Sequence, residues 1–377
     1  MLRDDAPDRR GRRRTHRESR NSPPMRFLKL FALPLLTASL LSASLTSATA
    51  VAGGEQAAPA AAKAPPVPLL WKISDADNAV YLLGSFHLLR ADDYPLSADI
   101  DQAFAASDKV VFEVAPEEMF DPTVGQRFMQ RARYQDGRTL SKELPADLRE
   151  KLNRVLAKNG RSLSQVDALE PWFVNLSLVL GVSQSIGFSP QLGLDQYLMR
   201  QAAEAGKATS GLESMDHQLD VMDSGPVDEQ IKGLREFLDK PDEVPGMLED
   251  IHKAWRNADL AELDEKARRE MKDKTPQTYR MVNTERNDAW VPQIQKMLDD
   301  AKKGETLVVV GSLHLLGDDG LIERLRGKGY KVERVCAACA SGTPDLAAPV
   351  APAPAEATEA GGAGGKPVKT GSGKPAR

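Results

Sequence analysis

The chain has 377 residues, with 50 basic and 54 acidic side chains and a net charge of −4. Positions 1–50 hold ten of the basic and four of the acidic residues, so the chain without them has 40 and 50 and a net charge of −10. This acidic balance excludes a nucleic-acid binder that works by charge. No stretch after position 50 approaches 18 apolar residues, so we expect a soluble or merely tethered protein.

Both ends of the chain have compositions that cannot bury a core. Residues 1–24 hold eight arginines and no apolar run, which predicts a disordered basic leader, or an over-long gene start with translation from Met25. Residues 25–50 join a short basic start, an apolar run and small residues, which is typical of a cleaved signal peptide. Ala and Pro dominate a linker over 51–66, and an Ala/Pro/Gly-rich tail fills 341–377. The sequence predicts export to the periplasm or the medium, with membrane contact only through an uncleaved signal segment.

The remaining residues, 67–340, are about 275 in number and read as one folded region. Apolar runs bounded by polar or Gly-rich turns predict six strands, at 69–73, 79–83, 110–114, 208–212, 306–310 and 330–335. Apolar residues at three and four spacings predict helices over 97–107, 171–186, from 193 onwards and 321–326, and over most of 116–303. The order is strand, helix, strand, a long helical insert, then strand, helix, strand. We therefore predict an α/β (α+β) fold, in which the two ends pair in one central mixed sheet flanked by helices.

A duplicated motif is the most informative feature. Gly84-Ser85-Phe86-His87-Leu88-Leu89 and Gly311-Ser312-Leu313-His314-Leu315-Leu316 each follow an apolar strand. Glycine permits a sharp turn at the strand end, which places both histidines at the sheet edge where ligand sites gather. Two such histidines could bind a divalent metal or act as acid and base. The alternative is a pair of turns whose histidines make structural hydrogen bonds.

Glu113 lies inside the apolar strand Val-Val-Phe-Glu-Val. A buried carboxylate is costly unless it is paired or bound to a metal, so Glu113 is a candidate third ligand or general base at the same edge. The alternative is an edge strand on which Glu113 faces solvent.

Further polar residues are weaker candidates. Asp195 begins a helix, so capping competes with a site role, and Glu213 could cap a helix or enter the site. Arg286 could hold a carboxylate or an oxyanion, although a surface arginine is the simpler interpretation. His217 and His252 are expected on the surface.

Cys336 and Cys339 are the only cysteines. They follow a late strand, which favours a structural disulfide or an inert pair over a redox site.

Taken together, the motifs resemble the TraB/GumN family, whose animal relatives include the Tiki proteins. The resemblance covers about Leu69 to Val335. Besides the two histidine motifs and the Glu113 strand, it rests on Leu-Trp-Lys-Ile, Tyr94-Pro95-Leu96, Ser107-Asp108-Lys109, Gly193-Leu194-Asp195, Gly211-Leu212-Glu213-Ser214 and Arg286-Asn287. It implies the fold of the erythromycin esterase, ChaN and Tiki group, a central sheet wrapped in helices.

The resemblance also implies a chemistry, because Tiki proteins are metal-dependent proteases active with manganese or cobalt. Carried over, His87, His314 and Glu113 would hold the divalent metal, with zinc as a further option, and Glu113 and Arg286 would be catalytic. Asp195 and Glu213 also fall on family positions. We therefore expect an exported metal-dependent hydrolase, most simply a peptidase acting on a peptide or protein substrate. The alternatives are a metal-independent esterase on the same fold, a non-catalytic peptide- or haem-binding envelope protein, and a purely structural protein.

Overall fold

The computed structural model describes residues 63–299 and 304–339. The predicted leader, signal peptide, most of the linker and the C-terminal tail lie outside these residues. In the described part no helix is both long and apolar enough to cross a membrane.

Six strands form one sheet in the order β4-β3-β5-β2-β1-β6. They are β1 (Leu70–Ser74), β2 (Ala79–Ser85), β3 (Lys109–Val114), β4 (Ala208–Glu213), β5 (Glu305–Gly311) and β6 (Lys331–Arg334). Strands β4, β3, β5 and β2 run parallel, whereas β1 is antiparallel to both β2 and β6. The predicted mixed sheet is confirmed. The strands from the two ends of the folded region pair within it, as predicted.

Helices flank the sheet and fill the predicted insert, which confirms the α/β class. Those of the described residues are α1 (Ala98–Ala106), α2 (Pro116–Met119), α3 (Val124–Arg131), α4 (Leu140–Glu143), α5 (Ala146–Lys158), α6 (Pro171–Ser185), α7 (Leu194–Glu204), α8 (Met215–Asp223), α9 (Val227–Asp239), α10 (Val244–Arg256), α11 (Leu260–Leu263), α12 (Glu270–Lys274), α13 (Pro276–Tyr279), α14 (Glu285–Leu298) and α15 (Leu321–Gly327). Two π-helical segments, Asp264–Arg269 and Arg280–Thr284, interrupt the late helices. Short 3₁₀ turns lie at Ala91–Asp93, Leu163–Gln165, Pro190–Leu192, Pro241–Glu243, Ser312–Leu315 and Ala337–Cys339.

The centre of the sheet is apolar on both faces. All seven residues of β2 are buried, as are the last five of β5. Parallel strands covered by helices on both sides carry such continuous apolar runs, because neither face meets water. In register, Val308 lies between Leu82 of β2 and Val111 of β3. The carboxyl ends of the four parallel strands therefore meet at one edge, where open α/β sheets bind ligands.

Candidate active site

Each of the four parallel strands delivers one polar side chain to this edge. His87 follows β2 by two residues, Glu113 lies one residue before the end of β3, Glu213 ends β4, and His314 lies in the turn after β5. The structure thus brings together both motif histidines and both glutamates singled out in the sequence.

The backbone at Gly311 is the point around which three of these side chains gather. A Cβ atom added there would lie 3.2 Å from His87 Nε2, 3.3 Å from Glu113 Oε1 and 3.7 Å from His314 Cδ2. The Gly311 amide also donates to Glu113 Oε1 at 2.7 Å. Glycine is favoured here because a Cβ atom would crowd His87 Nε2 and Glu113 Oε1.

Arg286 is the buried cation of the site, at the second position of α14 and only 1% exposed. Its Nη2 donates to Glu113 Oε2 and to Glu213 Oε1, at 2.6 Å each. Its Nη1 donates to the Val282 carbonyl and to His314 Nε2, at 3.1 Å each. Its Nε lies 3.1 Å from both oxygens of Glu213. A guanidinium has five N–H donors, so the protein itself uses all of them. The simpler interpretation of Arg286 as a surface arginine is wrong.

Glu113 is held as a carboxylate. It is 7% exposed, on a strand with neighbours on both sides, so the solvent-facing alternative is wrong. Burial alone would raise its pKa, but the Arg286 charge and the Gly311 amide outweigh burial and lower the pKa to about 2. Gln218 of α8 donates to it as well, at 3.1 Å.

His87 forms a dyad with Asp195, whose Oδ1 lies 2.9 Å from His87 Nδ1. Burial alone would lower the pKa of His87, but the Asp195 carboxylate outweighs it and raises the pKa to about 9. Asp195 lies in the first turn of α7, and its carboxylate orients the histidine. Gly193, the N-cap of α7, packs so closely on the His87 backbone that a Cβ would lie 2.4 Å from its carbonyl oxygen. This contact explains the glycine two residues before Asp195.

His314 is held as a neutral ring. Its Nδ1 lies 2.8 Å from Asn287 Oδ1, and its Nε2 faces the Arg286 guanidinium. Burial and the Arg286 charge lower its pKa to about 3. Arginine can only donate, so Nε2 accepts and Nδ1 carries the proton, which it donates to Asn287. Asn287 is a site residue that carried no assigned role in the sequence, although it stands in the quoted Arg286-Asn287 pair.

Two other residues were missed or misjudged. Gln218, which bridges Glu113 and Glu213, gave no sequence signal, because a single glutamine in a helix has no distinctive context. His252 is 5% exposed, so its predicted surface position is wrong. It pairs with Asp93 at 2.9 Å and packs against Phe86, directly before His87 in the chain. His217 is exposed, as predicted.

The geometry of these residues bears on the predicted metal site. Imidazole and carboxylate groups are ordinary metal ligands, but each must present a free lone pair. Across residues 63–299 and 304–339, no three His, Cys, Asp or Glu side chains are grouped to hold one ion. Arg286 explains this, since it occupies Nε2 of His314 and one oxygen of Glu113. In this arrangement both ring nitrogens of His314 are engaged and neither can bind a metal ion, and the ligand role of His87, Glu113 and His314 stays a prediction.

A cavity of about 130 Å³ opens above these groups. Its floor is formed by His87, Glu113, Gly311 and His314. Its walls are mostly apolar and come from α6, α10, α12 and both π-helical segments; they include Leu176, Val179, Leu248, Ile251, Met271 and Val282. Such a concave, largely apolar space with a few polar groups at its floor is typical of a small-molecule or peptide site.

Outside the site, the structure joins Cys336 and Cys339 in a disulfide.

Among known proteins, the model of the TraB/PrgY/gumN family matches residues 69–334. No curated protein and no solved structure matches the chain.

Proposed function

We propose that this chain, which belongs to the TraB/PrgY/gumN family, hydrolyses acyl bonds, with peptides as the first substrate class. The ends of its parallel strands bring together His87, whose pKa is raised, and Glu113, whose pKa is lowered. The observation that carries the proposal is the meeting of His87 Nε2 and Glu113 Oε1 around Gly311, on the floor of a cavity. Two titratable groups whose surroundings push their pKa values apart are the usual signature of an acid and base pair.

The surroundings of His87 and Glu113 favour opposite protonation states at neutral pH. His87, with a pKa of about 9, carries a proton, and Glu113, with a pKa of about 2, is ionised. His87 is therefore the group that can give a proton to a leaving atom. Glu113 is the group that can accept one from water.

The reaction follows from these states. A water beside Glu113 forms a bond from its oxygen to the acyl carbon, and Glu113 takes the proton that the water loses. The carbon–nitrogen bond breaks, and the leaving nitrogen takes the proton of His87. The proton on Glu113 then passes to His87, which restores both groups. One water is consumed, and one carboxyl group and one amine are released.

Arg286 supports this chemistry through its hydrogen bonds to Glu113 and Glu213. Its charge keeps Glu113 ionised and, with Glu213, fixes where Glu113 points. Asp195 does the same for His87, by orienting the ring and favouring the imidazolium. The apolar cavity walls would bind an apolar part of the substrate, which suits peptides with aliphatic or aromatic side chains.

Three further expectations stay proposals beside this one. Dependence on manganese, cobalt or zinc is implied by the family resemblance, and it requires Arg286 to release His314 and Glu113. A metal-independent esterase uses the same acid and base on an ester, and the engagement of His314 Nε2 by Arg286 favours it over metal chemistry. Export to the periplasm or the medium also stays a prediction.

A peptide screen tests the proposal. The full chain is incubated with a mixed peptide library, without added metal and with Mn²⁺, Co²⁺ or Zn²⁺, and the products are read by mass spectrometry. His87→Ala and His314→Ala are run in parallel, with exposed His217→Ala as the matched control. We expect cleavage by the unaltered chain and the control, and its loss in the two site variants. Cleavage that survives both site substitutions would overturn the proposal.

A further inference from the structure

The site as described leaves one requirement of acyl hydrolysis unmet. When water adds to the acyl carbon, negative charge develops on the former carbonyl oxygen, and a fixed N–H or O–H donor must meet it. Arg286 cannot supply this donor in the present arrangement, because its N–H groups already have partners in Glu113, Glu213, Val282 and His314.

Asn283 carries a buried donor without a hydrogen-bond partner, and it lines the cavity. It lies in the π-helical segment Arg280–Thr284, lines the same cavity as His87 and Glu113, and is 3% exposed. Within the described part of the chain, its Nδ2 has no hydrogen-bond partner. Leaving a buried N–H unpaired is destabilising, so such a group calls for an explanation. π-Helical turns occur often at functional sites.

The orientation of Asn283 follows from Arg286 by a chain of hydrogen bonds. Arg286 must donate to His314 Nε2, so His314 Nδ1 carries a proton and donates to Asn287 Oδ1. The other end of Asn287, its Nδ2, donates to Asn283 Oδ1 at 3.2 Å. The amide oxygen of Asn283 is thereby fixed towards Asn287, and its NH₂ group is the end left for a ligand.

We infer that Asn283 Nδ2 binds the carbonyl oxygen of an acyl substrate and stabilises the negative charge on that oxygen when water adds. This inference rests on the proposed function and adds to it the donor that Arg286 does not supply. Asn283 would be a catalytic residue in direct contact with the substrate.

A binding experiment tests the inference apart from turnover. The probe is N-acetyl-leucyl trifluoromethyl ketone, which hydrates to a tetrahedral carbon bearing oxygens and carries an apolar side chain suited to the cavity. Its affinity is measured by fluorine NMR titration of the full chain, Asn283→Asp, Asn283→Ala and the exposed control Asn257→Asp. Asn283→Asp keeps the oxygen that Asn287 needs. In Asn283→Ala, Asn287 Nδ2 still donates to the Asp319 carbonyl at 2.9 Å, so either variant can carry the test if the other fails to fold.

We expect both Asn283 variants to bind the ketone about tenfold more weakly, with the control unchanged, since one hydrogen bond to a developing charge has about that value. Where peptide cleavage is found, we expect it to slow about 100-fold in the variants. Equal ketone affinities, or no ketone binding by the unaltered chain, would overturn the inference. Ketone binding that depends on Asn283 without cleavage of any peptide would preserve the inference and refute the proposed hydrolase. Peptide cleavage that does not depend on Asn283 would preserve the proposed hydrolase and refute the inference.

Discussion

The dyad of His87 and Asp195 gives a prediction that needs no substrate. Asp195→Asn removes the carboxylate that raises the pKa of His87 from 6.5 to about 9. That rise corresponds to about 3 kcal/mol favouring the charged ring. Because the folded-state pKa lies above the unfolded one, this stabilisation is complete below about pH 6.5 and is lost as pH rises through about 9.

We therefore expect Asp195→Asn to lower the free energy of unfolding by about 2–3 kcal/mol at pH 6, and by less than about 1 kcal/mol at pH 10. Urea denaturation at the two pH values measures both quantities, with the exposed Asp273→Asn as the control that should change little at either. NMR titration of His87 should show its pKa falling in the Asp195 variant. A loss of stability that is equal at pH 6 and pH 10 would refute the reasoning, because it would mean that the pair does not hold a proton.

Three further predictions concern the residues around the acid and base. Arg286→Met leaves the carboxylates of Glu113 and Glu213 buried without a cation, so urea denaturation should show a loss of about 3–5 kcal/mol in the free energy of unfolding. A further Glu113→Gln change should restore part of that loss, and a double variant no more stable than Arg286→Met would contradict this. Gly311→Ala places a methyl group 3.2 Å from His87 Nε2 and should lower peptide cleavage at least about tenfold, for a stability cost of about 1–3 kcal/mol. The control Gly181→Ala in α6 has no atom within 4 Å of the added carbon and should leave cleavage unchanged. Equal cleavage by the two variants would contradict the prediction. If Mn²⁺ binds to His314, it must displace Arg286 from the ring, so Arg286→Met should raise the affinity for Mn²⁺ about tenfold or more. Calorimetry measures this affinity, and an unchanged value would show that the two cations do not compete.

The sheet was predictable because its strands are local apolar runs. Segments 79–83 and 306–310 lie within β2 and β5, and the short run at 208–212 lies within β4, which places Glu213 at a strand end. The repeated Gly-Ser-x-His motif fixed where both histidines leave the sheet. The carboxyl ends of neighbouring parallel strands lie at the same edge of a sheet, so both histidines lie at that edge.

The interior of the site was less predictable, because it depends on pairs that lie far apart in the chain. The burial of Arg286 is tolerable only because Glu113 and Glu213 arrive from two strands, and the α14 sequence alone cannot show that compensation. Gln218 is a single amide in a helix, and its contact with Glu113 joins residues 105 positions apart in the chain. His252 was misjudged for the same reason, because its partner Asp93 lies 159 residues away.

We propose above that Glu113 activates water while His87 protonates the leaving atom. Cleavage of a library peptide in ¹⁸O-labelled water, by the unaltered chain and by Glu113→Gln, tests it most directly. We expect one ¹⁸O atom in the new carboxyl group and a loss of at least about 100-fold in rate for Glu113→Gln, since a positioned base contributes about that much. Undiminished cleavage by Glu113→Gln, or a product carboxyl group without the label, would contradict it.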